Sequence, residues 1–196
     1  MATTILYPNT TVTSVGWAEI GSEGSIHAAL ADDDGLNTGA EGSGFNRYIE
    51  VTLDDLDSAG LNIDSITSIK ATMEARTEDR NQSAVLRCDY RDSSGDVINS
   101  YTQDITVTAT GTNTAYAWSS RATSDGSTAW SDSDIDGMRL RITIATAPLS
   151  GNAEVLHLYL TVTYTEPVVP TTYTSDDQVT LSGGMLELKN GRMKIG

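Results

Sequence analysis

The chain has a single cysteine, Cys88, so no intrachain disulfide can form and nothing marks an oxidising compartment. No apolar run approaches the ~20 residues that span a bilayer. The opening stretch MATTILYPNTTV lacks the basic region and apolar core of a secretion signal. These absences predict a soluble protein made in the cytoplasm, with no membrane partner. Basic residues are also scarce: 12 Lys and Arg stand against 27 Asp and Glu, for a net charge of -15 and a pI near 4.2. Nucleic acids and anionic membranes reward clustered cations, so neither is an expected partner. Solubility is the simplest account of the acidity. There are two histidines, His27 and His157, and neither stands in a zinc-type spacing. No nucleophile elbow, phosphate-cradling glycine loop or Walker pattern is present, so the chain is expected not to be an enzyme and to need no cofactor.

What is present is alternation. No segment sustains a helical period, whereas period-two patterning recurs along most of the chain. MRLRITI (138–144) sets Met138, Leu140, Ile142 and Ile144 on one face against Arg139, Arg141 and Thr143. EVLHLYLTVTY (154–164) sets Leu156, Leu158, Leu160 and Val162 inward and Val155, His157, Tyr159 and Thr161 outward. SIKATMEAR (68–76) alternates Ile69, Ala71, Met73 and Ala75 against Lys70, Thr72, Glu74 and Arg76. AVLRCDYR (84–91) follows, and the turn Asp92–Asp96 reverses the chain into VINSYTQDITVTAT (97–110). Thr4–Tyr7, Arg47–Leu53 and Thr114–Ser119 are further candidate strands, and one short helical turn is expected in each of LDDLDSAGLNI (53–63) and SDSDIDG (131–137). Eight or so strands at short turn spacing predict an all-β fold, a jelly-roll-like antiparallel sandwich.

The pattern changes after Thr165. EPVVPTTYTSDDQ (166–178) carries Pro167 and Pro170 and few large apolar residues, which suits an extended linker. The chain therefore divides into a sandwich over 1–165 and a linker with a C-terminal β-hairpin arm over 166–196. In the arm, Met185–Leu188 and Arg192–Ile195 flank the turn Lys189-Asn190-Gly191, and Asn-Gly is a strong hairpin signal.

Four short segments, ILYPNTTVTSVGW (5–17), HAALADDDG (27–35), the stretch from Trp130 to Ile142 containing DIDGMRLRI, and LYLTVTY (158–164), together resemble a group of jelly-roll-like domains common in virion proteins of tailed bacteriophages. The resemblance spans roughly residues 5–165 and supplies no catalytic residue. It implies a non-enzymatic virion structural protein, foremost a capsid decoration or cement protein. Such a protein would reside in the virion after synthesis in the host cytoplasm. Its partners would be sister subunits, with a trimer the expected form, and the major capsid protein or other virion proteins. The alternative it leaves open is a carbohydrate-binding or host-attachment module of a head or tail fibre.

Candidate chemistry divides accordingly. Asp32, Asp33 and Asp34 cluster as hard oxygen donors, but Leu36, Asn37 and Ser43 stand where an EF-hand loop needs an acid or amide, glycine and glutamate. Asp32 and Asp34 remain candidates for another kind of calcium site, against the simpler reading of a solvated acidic loop. Glu74 is the best isolated candidate for a catalytic carboxylate, yet Lys70 and Arg76 flank it and a surface salt ladder is simpler. Cys88 shares an apolar face with Leu86 and Tyr90, which predicts a buried, inert thiol. Tyr116 and Trp118 are the candidate glycan-stacking pair, against a role in the core of a chain with one phenylalanine. The strongest functional signal is the arm. Met185, Leu186, Leu188, Met193 and Ile195 would lie exposed on an unpaired tail, and Lys189, Arg192 and Lys194 against Glu187 make this stretch locally basic. Burying each apolar side chain stabilises by ~1.5–3 kcal/mol, so these eight residues of 185–195 are the expected partner interface.

Overall fold

The computed structural model describes residues 1–33, 38–56, 60–79, 81–108 and 114–168, with Asn99 and Ser100 as backbone only, and the backbone of 188–189 and 192–193. Its strands are β1 (Ala2–Leu6), β2 (Pro8–Val15), β3 (Trp17–Ile20), β4 (Gly39–Gly42), β5 (Tyr48–Leu53), β6 (Ser65–Thr77), β7 (Ser83–Arg91), β8 (Val97–Thr108), β9 (Thr114–Ala117), β10 (Arg139–Thr146) and β11 (Ala153–Thr165). They form two antiparallel sheets. One runs β3-β4-β11-β6-β9, with β1 also paired to β11, and the other runs β2-β5-β10-β7-β8. The pairings nest: β4 joins β11, β5 joins β10, β6 joins β9 and β7 joins β8. An antiparallel ribbon of four such pairs, wound so that successive pairs fall in alternate sheets, is a jelly roll. β1 and β3 extend the first sheet and β2 the second.

The core sits where the alternation places it. Met138, Leu140, Ile142 and Ile144 are all fully buried, as are Ile69, Ala71, Met73 and Ala75 from the facing sheet. Each Leu, Ile or Met among them contributes about 1.5–3 kcal/mol on burial. Leu86, Cys88 and Tyr90 fill the same layer, and burial pushes the Cys88 thiol well above its ordinary value, so it stays protonated and unreactive. Tyr90 spans the sandwich, its hydroxyl accepting from the Ala71 amide of the other sheet at 2.8 Å. All three tryptophans lie in the core; Trp118 donates from Nε1 to the Gln103 carbonyl and Trp130 to the Arg121 carbonyl, each at 2.9 Å.

Of several breaks in register, the one that bears on the outer face of the first sheet lies in β11. Between Val155 and His157 the register of β11 against β6 shifts, and Val155 and Leu156 are both buried where strict alternation sends Val155 outward. An extra residue in one strand is a β-bulge, and it re-aims the side chain that follows. Gly39 on β4 fits against this bulge. Its φ is +146°, and a Cβ there would come within 2.5 Å of the Val155 carbonyl oxygen and 2.8 Å of the Leu156 Cα. Only glycine is compatible with that approach.

Two short helices close loops. α1 (Ile26–Ala31) is capped by Ser25, whose hydroxyl accepts from the Ala28 amide at 3.3 Å, and it buries Ala29 and Leu30. α2 (Asp132–Ile135) is the turn expected in 131–137, with the Ser131 amide donating to the Asp134 carboxylate at 2.8 Å. No helix forms among the described residues of 53–63.

At the other end of the chain, β12 (Leu188–Lys189) and β13 (Arg192–Met193) pair antiparallel, Leu188 with Met193 and Lys189 with Arg192. Lys189 thus lies in a strand rather than in the turn. Among the described residues it makes its own two-stranded sheet and adds a strand to neither face of the sandwich.

Candidate functional site

The outer faces of the two sheets carry the described chemistry. On the first, Glu74 of β6 stands directly opposite His157 of β11. Just past the bulge, alternation keeps the His157 side chain on the outer face, yet it is only 7% exposed. Tyr7 stacks on the imidazole at 5.7 Å between centroids and 19° between planes, and Tyr159 packs at 5.1 Å. Asp33 reaches the ring from the segment after α1, with Oδ1 3.9 Å from Nδ1 of His157. One donor atom from each of Asp33, Glu74 and His157 lies within 4.8 Å of the others. Nε2 of His157 is buried and, among the described residues, makes no hydrogen bond.

The second histidine shows what a satisfied imidazole looks like here. His27 Nδ1 accepts from the Thr11 amide at 3.2 Å, its other nitrogen lies 3.3 Å from the Ser25 hydroxyl, and its own amide donates to the Thr11 hydroxyl at 3.0 Å. These bonds tie α1 to β2 and so fix where the chain emerges toward Asp33. Chemically, a borderline nitrogen donor beside two carboxylates is a set that a divalent metal ion takes.

On the second sheet, Glu50 of β5 is 2% exposed beneath three guanidinium groups. Arg139 Nη1 donates to Oε1 at 3.1 Å, Arg141 Nε donates to Oε2 at 2.6 Å, and Arg91 Nε lies 3.7 Å away. Arg141 also lies over the Tyr48 ring, 4.1 Å from its centroid. Arg91 and Arg139 donate further to the carbonyls of Gly95 and Ser93, which fastens the β7–β8 turn down. Arg139 and Arg141, outward by alternation, are thus turned onto Glu50.

The residues singled out from sequence fall as follows. Asp32 is the C-cap of α1, its amide bonding the Ala28 carbonyl; Asp34 lies outside the described residues, and Asp33 is the acid of this run that lies near Glu74 and His157. His157, expected on the surface, is covered by Tyr7 and Asp33. Glu74 joins this group, while Arg76 pairs with Glu154. Trp118 is 2% exposed and offers no open plane to a sugar ring, and half-buried Tyr116 accepts a hydrogen bond from the Thr108 amide at 3.3 Å. Of the arm, Met185, Leu186, Lys194 and Ile195 lie outside the described residues; Leu188, Lys189, Arg192 and Met193 are placed by backbone alone. The grouping of Asp33, Glu74 and His157 was missed from sequence. The outward alternation of Glu74 and His157 was a signal, but strand register was needed to make them neighbours.

No protein-family model matches the chain, and no curated protein matches its sequence.

Proposed function

We propose that this chain is a non-enzymatic structural protein of a tailed-bacteriophage virion, a decoration or cement protein that oligomerises and stabilises the capsid shell. The observation that carries the reading is the division of labour along the chain. The jelly roll closes its core with strands ending at Thr165, while the hairpin at 188–193 pairs with itself and with neither sheet among the described residues. A lone hairpin is at best marginally stable in water, so its apolar residues call for a partner surface. The similarity of residues 5–165 to phage jelly-roll domains points to sister subunits and shell proteins as that surface, with a trimer as the expected assembly. Each arm that docks adds buried apolar area and stabilises the assembled particle by mass action. The glycan-binding alternative loses its best residue to the core, since Trp118 is buried.

The test is truncation after Thr165. The truncated chain should keep its sandwich by circular dichroism and cooperative melting, and should lose the oligomer that the full chain forms in sedimentation at the same micromolar concentration. A full-length chain that sediments as a strict monomer, or a truncated one that keeps the same oligomer and still decorates particles, overturns the proposal.

A further inference from the structure

We infer that Asp33, Glu74 and His157 form a binding site for a divalent metal ion of the zinc class. Three observations meet at this point. The residues come from three separate places, the segment after α1, β6 and β11, and still bring one donor atom each within 4.8 Å of the others. The imidazole is more than nine-tenths buried. Its Nδ1 faces the Asp33 carboxylate across 3.9 Å, beyond hydrogen-bonding reach, and Nε2 is without a hydrogen bond among the described residues, so Nδ1 is the nitrogen placed to ligate. Buried polar atoms in folded proteins nearly always find a partner, so an imidazole left in this state needs a reason. The other orphaned buried atoms are an indole nitrogen and guanidinium nitrogens, none of which ligates metals. His157 is the exception, and two carboxylates stand beside it.

The donor chemistry selects the ion. A neutral imidazole with two carboxylates suits zinc, whereas calcium takes an all-oxygen shell of six or more ligands. At zinc bond lengths of about 2.0–2.2 Å, donors on one ion lie roughly 3–3.5 Å apart. The present spread therefore has to close by about an ångström. Asp33 can supply that movement, because its side chain is 70% exposed and follows the cap of α1, while Glu74 and His157 are held in strand register. Three protein ligands leave at least one position for water. Bound there, the ion fastens the segment after α1 to the two central strands of the first sheet, and so stabilises the folded state in proportion to its occupancy.

The test uses the whole chain, treated with a chelator, dialysed, and titrated with zinc chloride by calorimetry in 150 mM salt, about the ionic strength that screens diffuse attraction to an acidic surface. One saturable site per chain is expected, and a melting temperature about 5 °C or more higher at a hundredfold excess over Kd. Asp33→Asn, an exposed change that leaves the fold in place, should weaken zinc by at least about tenfold and shrink the melting shift. Glu74→Gln should do the same. Absence of saturable zinc binding overturns the inference. So does binding of equal strength in both variants, which would place the ion elsewhere on the acidic surface, or calcium binding as tight as zinc, which would deny the imidazole a part.

Discussion

Glu50 and His157 occupy equivalent settings and are treated in opposite ways. Each projects from the outer face of a sheet, each is buried, and each is roofed by neighbouring side chains. Glu50 meets three guanidinium groups, two within hydrogen-bonding distance, and those groups go on to bind loop carbonyls. His157 meets two tyrosine rings and a carboxylate at 3.9 Å, with a buried nitrogen left unbonded. In the first arrangement both carboxylate oxygens accept hydrogen bonds, although Nε of Arg91 and Nε of Arg139 make none among the described residues, and its work is to hold β5, β10 and β7 in register. The second retains valence that the fold itself does not use. Burial alone does not distinguish a structural polar group from a functional one; the accounting of its partners does.

The largest effect should come from breaking the Glu50 cluster. Glu50→Gln removes the charge that three arginines share, and the remaining cations lie only 14–23% exposed. Removing one partner of a buried ion pair costs about 3–5 kcal/mol, and the partial exposure of the arginines puts this case near 3 kcal/mol. The same change at Glu74, which is half-buried where Glu50 is sealed, should cost less than about 1 kcal/mol in chelator-treated protein. Urea melts of the two variants measure both. Equal losses would mean that the two faces are alike and the contrast is illusory.

His157→Phe sharpens the comparison from the other side. A phenyl ring keeps the stacking with Tyr7 and Tyr159 and removes the unbonded nitrogen. An unsatisfied buried polar atom costs about 1–3 kcal/mol, partly offset here by fitting a larger ring. Without metal the variant should therefore be as stable as the parent or up to about 1 kcal/mol more so. A loss of 2 kcal/mol or more would show that the imidazole is bonded in solution and serves the fold.

Much of the fold was legible because period-two burial is a strong signal. Met138 to Ile144 and Ile69 to Ala75 read directly as core, and Cys88 followed from its neighbours Leu86 and Tyr90. Other elements lacked an intrinsic signal. β4 is Gly39-Ala40-Glu41-Gly42, a strand only because β3 and β11 pair with it, and α1 is six residues held by Ser25 and His27. Val155 was misassigned because a bulge inserts one residue and reverses the parity of all that precedes it. The site was illegible for a related reason. Alternation put Glu74 and His157 outward, but only the β6–β11 register makes them opposite, and only the path of the chain after α1 brings Asp33 over them. In the acidic run, Asp32 ends α1 and Asp34 lies outside the described residues, while Asp33, between them, is the one that reaches the outer face of the first sheet.

The smallest effect belongs to the pair at the rim of the charged face. Arg87 binds Asp104 through two hydrogen bonds, at 2.7 and 3.1 Å, and both side chains are more than 40% exposed. The bond to Arg87 holds the Asp104 carboxyl below its ordinary value. A carboxyl depressed in the folded state contributes stability that is present above its unfolded value, about pH 4, and is lost as the pH falls through the lower folded one. Solvent and salt screen an exposed pair, so Asp104→Asn should cost no more than about 0.5 kcal/mol at neutral pH. The difference between variant and parent should shrink as the pH is lowered from 5 through the carboxylate range, about pH 4 and below, because acid removes the same interaction in the parent. A cost above about 1.5 kcal/mol at pH 7 would mean that the rim shares the coupling of the Glu50 cluster, and that the buried carboxylate does not hold this face alone.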